Sequence, residues 1–476
     1  MAEPDVIDGN DSKAPPGLLL KWGVAVGFPV ALWLLPLTQY CGITPRMKLY
    51  LALSLWAVIM WTFELVDPAI SGTLLPIFFV LGGVGSPSDA FRGWSSPVPW
   101  VTLGGLIFGA VIVATGLAKR LTYKILSHTG TSFAGVVVGI VIVTTIISPF
   151  MPSVTGKTAL LLPLIIGVCQ VMGIQPGTRE ASAMMLALFS ALWSAKMAYL
   201  TASADSVLLA ALVTQYTKQS VSWLQWFYQM ALPSFLWTLV STALVFTLRP
   251  KNIHIPKQTL KERYRALGPM TAKEIRAAAM LAALAVALVT DAWHKIDPGW
   301  TLMVMAGLCF IPGVNLLTGE ELKRLVPFNI VFFLAGSMAI GNVAAGVGFV
   351  KMLTASVVPL LQGMGDTALS MAIWALGFLG CFALNQFGLS AAFAGPIADV
   401  FGALGFDPYL GAYSLIWGFN QLFFPYQCAP LILIYGFGYL RMSHLIGQMA
   451  IRTAVAFAFM IAVTIPYWRL IGLFAR

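Results

Sequence analysis

Two short polar segments interrupt otherwise apolar sequence, and they hold the residue types that can bind an anion. The first reads Ser-Val-Thr-Gly-Lys-Thr at residues 153–158, and the second reads Asn-Gln-Phe-Gly-Leu-Ser at residues 385–390. A proline follows each segment, at Pro163 and Pro396. Hydroxyl groups, amides and the backbone N–H groups at a helix start all bind anionic ligands. Because lipid cannot satisfy non-helical backbone, each break must face protein or a wet cavity.

The sequence around these breaks is typical of a membrane protein. Of the 476 residues, 59% are hydrophobic and only 10% are charged, and the mean hydropathy is +0.85. Apolar windows recur from residue 18 to residue 468, but several windows beside the breaks are too short to cross a bilayer alone. The pattern predicts an all-α integral membrane protein in which the short windows form re-entrant hairpins and broken helices.

The distribution of basic residues predicts the orientation of the chain. The net charge of +10 comes from Lys and Arg in short links between apolar windows, most densely at residues 249–276. The positive-inside rule explains this distribution, so the partner is membrane lipid and not nucleic acid. The prediction is a multi-pass protein of the cytoplasmic (inner) membrane, with its N-terminal tail in the cytoplasm.

The second half of the chain repeats features of the first half at an offset near 230 residues. Each half holds a hairpin, a small-residue break, a proline and a further interrupted helix. An odd number of crossings in each repeat would make the repeats inverted, which places a binding site between them. The predicted parts are a cytoplasmic tail at 1–17, a first repeat at 18–248, a basic cytoplasmic loop at 249–276 and a second repeat at 277–476. The first repeat holds a re-entrant hairpin near 132–171 and a broken helix near 181–214. The second repeat holds a re-entrant hairpin near 369–404 and a broken helix near 410–440.

Three further motifs occur in a characteristic order. They are a Trp-Thr-Phe-Glu ending at Glu64, Thr-Gly-Leu-Ala-Lys-Arg at 115–120, and the segment 424–431 followed by Tyr-Gly-Phe-Gly-Tyr-Leu at 435–440. Together they resemble the divalent anion/sodium symporter (DASS) family of dicarboxylate, citrate and sulfate carriers over most of the chain. The resemblance implies about eleven transmembrane helices plus two re-entrant hairpins in two inverted repeats. It also implies a homodimer and an elevator-type carrier.

The chain departs from the Ser-Asn-Thr triplets that members of this family have at both hairpin tips. The first triplet reads Ser153-Val154-Thr155, and the second reads Gln386-Phe387-Gly388, with Ser390 as an alternative register. In the family, these triplets contact the substrate carboxylate and help to coordinate sodium. Val and Phe supply no side-chain oxygen, so no cofactor is expected and coupling to sodium is not favoured.

Three charged residues at membrane depth suggest another source of charge. Lys157 lies at the first tip, and Lys196 and Asp205 lie in the neighbouring broken helix. Such charges cost at least about 2.5–3.5 kcal/mol at a helix centre, so they indicate function. We expect Lys157 or Lys196 to supply the positive charge that sodium gives elsewhere, with coupling to protons or exchange of anions. Alternatively, Lys196 and Asp205 form a structural pair and Lys157 extends to the cytoplasmic surface.

The predicted function is secondary active transport, by alternating access, of small anions of the di- or tricarboxylate, sulfate or sulfonate class. A membrane-embedded enzyme and an anion channel are the alternatives. An enzyme is not favoured because the acidic residues are few and scattered, and paired broken hairpins favour a carrier over a channel. The predicted substrate-binding residues are Ser153, Val154, Thr155, Gly156, Lys157, Thr158, Asn385, Gln386, Gly388, Ser390, Gln427, Cys428 and Pro430, and the predicted coupling residues are Lys196, Thr201, Ser203 and Asp205.

Overall fold

The computed structural model describes residues 18–37, 43–63, 65–251, 253–254 and 257–474. The predicted tail at 1–17 and Glu64 of the early motif lie outside these residues. Within them the chain is helical, apart from one isolated antiparallel bridge between Ser132 and His254. The predicted all-α class is therefore confirmed. The α-helices are Leu18–Leu34, Pro45–Phe63, Pro68–Leu81, Pro87–Ala90, Val98–Ala114, Leu117–Thr129, Phe133–Ile147, Val154–Val171, Arg179–Ala195, Ala204–Thr217, Trp223–Ala243, Lys257–Arg265, Ala272–Val289, Asp291–His294, Pro298–Leu308, Gly319–Leu325, Phe328–Ser337, Ala339–Gly346, Phe349–Leu361, Asp366–Gly380, Gln386–Ala403, Pro408–Phe419, Ala429–Gly436, Met442–Phe459 and Ile465–Leu470.

Among the described residues, five helical stretches are long and apolar enough to cross a membrane, and two bent pairs of helices raise the total to seven. The remaining apolar helices are shorter, so length alone does not assign them, and the count of eleven crossings stays a prediction. The multi-pass membrane character is confirmed. The long stretches are Phe133–Phe150, Val154–Val171, Arg179–Ala198, Trp223–Leu248 and Met442–Leu470, and the bent pairs are Val98–Ala114 with Leu117–Thr129 and Gly319–Leu325 with Phe328–Ala344.

Two helical hairpins have the same construction. Hairpin 1 consists of Phe133–Ile147 and Val154–Val171, and hairpin 2 consists of Asp366–Gly380 and Gln386–Ala403. We call the short connections tip 1, residues 148–153, and tip 2, residues 381–385. Each returning arm is capped by the last residue of its tip and contains a proline in its interior. The division of the chain into two inverted repeats stays a prediction.

Two helices are interrupted beside the hairpins. Broken helix 1 consists of Arg179–Ala195 and Ala204–Thr217, and broken helix 2 consists of Pro408–Phe419 and Ala429–Gly436. We call the residues between the two segments break 1, residues 196–203, and break 2, residues 420–428. Short 3-10 turns and extended residues occupy both breaks, so their backbone groups need partners outside a regular helix.

The broken helices bring the two hairpins together. The first segment of each broken helix packs against both arms of the hairpin from its own half. The second segment crosses over: Ala204–Thr217 packs against the returning arm of hairpin 2, and Ala429–Gly436 packs against the returning arm of hairpin 1. Because of this exchange, the two tips and the two breaks meet at one place.

Scaffold helices complete this region from the outside of the hairpins. Pro68–Leu81 packs along Phe328–Ser337. The approach is so close that a Cβ on Gly336 would lie 2.0 Å from the carbonyl oxygen of Gly72, so only glycine fits there. This contact positions the starts of both helices, including Asn329, beside tip 2.

The basic linker docks onto the first half of the protein. Its helix Lys257–Arg265 packs against Leu117–Thr129. The buried Arg120 donates to Glu274 Oε1 at 2.6 Å and to the carbonyl oxygen of Gly268 at 2.8 Å. The hydrogen bond from Arg120 holds the pKa of Glu274 below its ordinary value. The described part of the linker is therefore anchored to the first half of the protein.

Candidate functional site

Both hairpin tips and both breaks line one cavity of about 560 Å³. Eleven of the seventeen residues predicted to act at the site lie in its wall. They are Ser153, Val154 and Thr155 at tip 1 and the helix that follows it, Asn385 and Gln386 at tip 2, Lys196, Ser203 and Asp205 at break 1, and Gln427, Cys428 and Pro430 at break 2.

Phe387, the middle residue of the second triplet, was not predicted to bind substrate but also lies in the wall.

The residues that precede four helices lie in this wall. They are Ser153 and Asn385 at the tips and Ser203 and Cys428 at the breaks. The first N–H groups of a helix have no partner within the helix, and the helix dipole adds a partial positive charge there. The N-terminal ends of four helices therefore meet at the cavity, which favours an anionic ligand.

The two tip residues cap their helices in the same way. Ser153 Oγ accepts from the backbone N–H of Gly156 at 3.0 Å, and Asn385 Oδ1 accepts from the backbone N–H of Gly388 at 2.8 Å. Both side chains are thus held in one orientation at the cavity. Thr155 follows Val154 in the first turn of the helix after tip 1, and it is exposed in the cavity wall. The two caps bind the N–H groups of Gly156 and Gly388, so the other N–H groups in the first turns of these two helices have no side-chain cap.

Lys157 lies behind tip 1 and not in the cavity wall. Its side chain is 0% exposed, so it does not extend to a membrane surface. The ammonium group donates to the carbonyl oxygen of Ala202 at 2.9 Å and contacts Ser148 Oγ at 3.4 Å. It therefore links tip 1 to break 1, and its charge reaches the cavity only through the intervening protein.

Lys196 lies in the wall, but its charge is neutralised locally. Its ammonium group is 2.6 Å from Asp205 Oδ2, and both side chains are buried. It also lies 3.7 Å from the centre of the Trp193 ring. Ser203 Oγ and the backbone N–H of Ser206 donate to the other carboxylate oxygen of Asp205. This arrangement matches the alternative in which Lys196 and Asp205 form a pair.

Tip 2 and break 2 are joined by amide groups. Gln427 Oε1 accepts from the backbone N–H groups of Phe423 at 2.6 Å and Phe424 at 2.7 Å, and its Nε2 donates to the carbonyl oxygen of Cys381 at 3.0 Å. Gln386 Nε2 donates to the carbonyl oxygen of Gln427 at 3.3 Å. These bonds use neutral side chains to satisfy the irregular backbone of break 2.

The other predicted site residues lie behind the wall, where they support the tips. Thr158 Oγ1 donates to the carbonyl oxygen of Val154 at 2.9 Å, and Thr201 Oγ1 donates to that of Pro149 at 2.7 Å. Gly156 and Gly388 supply the N–H groups bound by the caps. Ser390 is fully buried. A role for any of these residues in binding or coupling stays a prediction.

The sequence analysis missed part of the wall that comes from the scaffold. Asp67 and Asn329 lie at the cavity, where Asn329 Nδ2 donates to Asp67 Oδ2 at 3.0 Å. Trp61 and Phe333 also line it. No local pattern marks these residues, although Trp61 lies within the early motif.

A further buried cation was also missed. Arg452 is fully buried, and its guanidinium group donates to the carbonyl oxygen of Asn420 and to Gln421 Oε1, both at 2.8 Å. It binds break 2 much as Lys157 binds break 1. A single Arg inside the apolar helix Met442–Phe459 was the signal that could have indicated it.

Comparison with known proteins places this chain among transporters. Residues 18–474 match the family described as the sodium:sulfate symporter transmembrane region. Dicarboxylate transporter 1 of Arabidopsis thaliana chloroplasts is 24% identical over 81% of this chain and 71% of its own length. The L-tartrate/succinate antiporter of Escherichia coli is 24% identical over 82% of this chain and 77% of its own length.

A solved structure shows the same overall fold. The crystal structure of the Alcanivorax borkumensis YdaH transporter superposes with a TM-score of 0.56, covering 90% of this chain and 98% of the YdaH chain. The sequence identity is 15%, so the similarity concerns the fold alone.

Proposed function

We propose that this chain, which belongs to the sodium:sulfate symporter family, moves small organic or inorganic anions across a membrane by alternating access. The resemblance to divalent anion/sodium symporters is thereby confirmed. The family and the similar proteins are transporters, so the chain is a transporter and not an enzyme. The substrate, the coupling and the mechanism of movement belong to the proposal.

The observation that supports this proposal is the meeting of four helix N-termini at one cavity between the two tips. Backbone N–H groups at helix ends bind carboxylate and sulfate oxygens without a dedicated basic side chain. They are also held in place before the ligand arrives, so little ordering is needed on binding. Di- and tricarboxylates, sulfate and sulfonates all offer such oxygens.

The surroundings of Lys157 support coupling without sodium. A bound sodium ion needs several oxygen ligands, and transporters commonly use carbonyl groups of an unwound helix for this purpose. Here the Lys157 ammonium group already occupies the space between the Ala202 carbonyl oxygen and Ser148 Oγ. Val154 and Phe387, in the two altered triplets, supply no oxygen. Proton coupling or anion exchange therefore fits better, and the name of the antiporter relative agrees with exchange.

Transport assays in proteoliposomes test this function. Radiolabelled succinate, tartrate, citrate and sulfate are offered while a sodium gradient, a pH gradient or an internal anion is supplied separately. We expect saturable uptake that responds to internal anion or to pH and is unchanged when choline replaces sodium. Steep dependence on the sodium gradient would contradict the proposed coupling. Flux that does not saturate and shows no counterflow would indicate a channel.

A variant of Lys157 tests whether this residue acts in transport. We expect Lys157→Met to lose most uptake, because the oxygens of Ala202 and Ser148 lose their cationic partner. Lys157→Arg, which keeps a charge, should retain more uptake. The control is Lys119→Met, which removes an exposed lysine. Normal transport by Lys157→Met, measured on protein of unchanged thermal stability, would remove Lys157 from the coupling mechanism.

The orientation and assembly are also proposals. The basic linker at 249–276 favours a cytoplasmic position for that linker in an inner membrane, with the N-terminal tail on the same side. A single cysteine introduced by Lys261→Cys should react with an impermeant reagent only from the cytoplasmic side. A homodimer and an elevator-like movement rest on family analogy alone.

A further inference from the structure

Aromatic side chains form much of the cavity wall. They come from two scaffold helices, the first segment of broken helix 1, the tip 2 region and break 2, so they are far apart in sequence. The seven residues are Trp61, Phe63, Trp193, Phe333, Phe382, Phe387 and Tyr426.

Three of these rings form a continuous row. The rings of Trp61 and Phe333 meet edge to face, with centroids 5.2 Å apart and an angle of 89° between their planes. Phe333 meets Phe387 in the same manner at 5.1 Å and 82°. The row runs from the scaffold to the helix that follows tip 2. Trp61 and Phe333 are buried, so Phe387 is the member of the row with ring surface open beside the helix N-terminus that Asn385 caps.

Two further rings present uncovered surface. The side chains of Phe382 and Tyr426 are 39% and 63% exposed, although both lie in the cavity wall. Exposed aromatic surface in a concave site is typical of a region that binds an apolar group. An aromatic ligand would gain from edge-to-face or offset contacts with these rings, beyond the burial of area.

Of the four charged side chains in the described wall, two are paired with each other, Asp67 is hydrogen-bonded to neutral groups, and Lys21 is exposed. Lys196 and Asp205 bind each other. Asp67 accepts from Asn329 and from the backbone N–H of Ala69. Lys21 is exposed and lies 5.8 Å from the Phe63 ring centre. Within the described part of the wall, the helix N-termini are therefore the sites for an anionic head, and the aromatic rings face the rest of the ligand.

The size of the cavity fits a ligand with a ring. Its volume of about 560 Å³ lies within the range of roughly 300–1,000 Å³ found for pockets that enclose drug-sized ligands. A short aliphatic dianion would leave much of the aromatic surface uncovered.

We infer that the preferred substrate class is aromatic carboxylates. The carboxylate binds at the helix N-termini next to Ser153 and Asn385, and the ring packs against Phe382, Phe387 and Tyr426. This inference rests on the proposed function, since it identifies the anion that the same cavity transports. The competing explanation is that the rings only pack the scaffold against hairpin 2.

A comparison of substrates separates these explanations. Terephthalate and phthalate remain charged at neutral pH and are offered with succinate and sulfate to proteoliposomes loaded with the same unlabelled anion. We expect the aromatic dicarboxylates to show a KM lower than that of succinate by about tenfold, as expected for at least one additional well-placed ring contact. If succinate or sulfate is carried and the aromatic anions are not, the inference is wrong and the proposed function stands. If none of the four is carried, the proposed function itself is contradicted.

Variants of the ring row provide a second readout. Phe387→Leu keeps an apolar side chain but removes the ring, so the KM for terephthalate should rise about threefold to tenfold relative to the KM for succinate, the size of a lost aromatic pair. Phe387→Tyr keeps the ring and should restore the lower value. The matched control is Phe393→Leu, on the same helix but outside the cavity wall. Equal losses for both substrates would show that Phe387 only packs the interface.

Discussion

The two tips of this transporter share a backbone design but differ in side-chain chemistry. At both tips a polar residue accepts a hydrogen bond from the N–H group three positions later, Ser153 from Gly156 and Asn385 from Gly388. Beside tip 1 the supporting groups are ionic, namely Lys157 and the pair Lys196 and Asp205. Beside tip 2 the groups at the end of break 2 are neutral amides, chiefly Gln427, and the second half's buried cation, Arg452, binds Asn420 and Gln421 at the start of that break. Both halves therefore present capped helix ends to the cavity. Each half stabilises its irregular backbone with different side chains.

This difference has an energetic consequence. A buried ion pair has a large desolvation cost, and removing one partner leaves a charge that nothing compensates. A buried amide that loses its partners leaves neutral groups unsatisfied, which costs less for each group. The half of the cavity around tip 1 should therefore be more sensitive to single substitutions than the half around tip 2.

The largest effect is expected at break 1. Asp205→Asn leaves the Lys196 ammonium group buried without its carboxylate, which should lower the free energy of unfolding by about 3–5 kcal/mol. The midpoint of thermal unfolding in detergent measures this loss. The control is the double variant Lys196→Met with Asp205→Leu, which removes both charges and should recover most of the stability. Wild-type stability of Asp205→Asn would contradict the ionic character assigned to this half.

A smaller effect is expected at break 2. Gln427→Leu leaves two backbone N–H groups and the Cys381 carbonyl without this partner, and each unsatisfied buried group costs about 1–3 kcal/mol before the structure relaxes. The end of break 2 around Gln427 should relax more readily than the Lys196–Asp205 pair, so the measured loss should fall below that of Asp205→Asn. Gln225→Leu, at an exposed position, is the control and should unfold at the wild-type temperature. A loss for Gln427→Leu larger than that for Asp205→Asn would reverse the comparison.

The smallest effect is expected at the helix caps, where the two halves are alike. Ser153→Ala and Asn385→Ala should each cost about 0.5–2 kcal/mol, the ordinary value of an N-cap. Asn385→Ala should lie at the upper end, because Asn385 also donates to the carbonyl oxygen of Trp61 at 3.0 Å. Both variants should also reduce uptake, since they disturb the helix starts at the cavity.

Ser132→Ala is the control for the caps. Ser132 accepts from the N–H of Gly135 at 3.1 Å, at the end of hairpin 1 away from tip 1. It should lose similar stability without a change in the KM for the transported anion. If all three variants change uptake alike, the caps act only through stability.

The polar breaks were predictable because their signals are local. Ser153 and Asn385 are short polar residues directly before apolar runs, which is the pattern of an N-cap, and Pro163 and Pro396 follow them after ten and eleven residues. The membrane environment followed from hydropathy. The same local reasoning predicts broken helices near 181–214 and 410–440, since small and polar residues favour non-helical backbone.

The partners of the charged residues were not predictable in this way. Lys196 and Asp205 were open to two interpretations, because a break of unknown shape separates them. Lys157 was expected at the cavity, but on a helix the direction of a side chain depends on which neighbour packs against each face. In the structure that neighbour is Ala202 of break 1.

The aromatic wall depends even more on long-range contacts. Trp61, Phe333 and Phe387 belong to distant parts of the chain, and each would pass for ordinary apolar sequence in a membrane helix. Hydropathy and capping patterns specify where helices begin and end, because those features depend on neighbouring residues and on the solvent. The choice of which helix ends, charges and rings share one cavity depends on how the broken helices exchange partners between the halves, because that packing joins residues hundreds of positions apart.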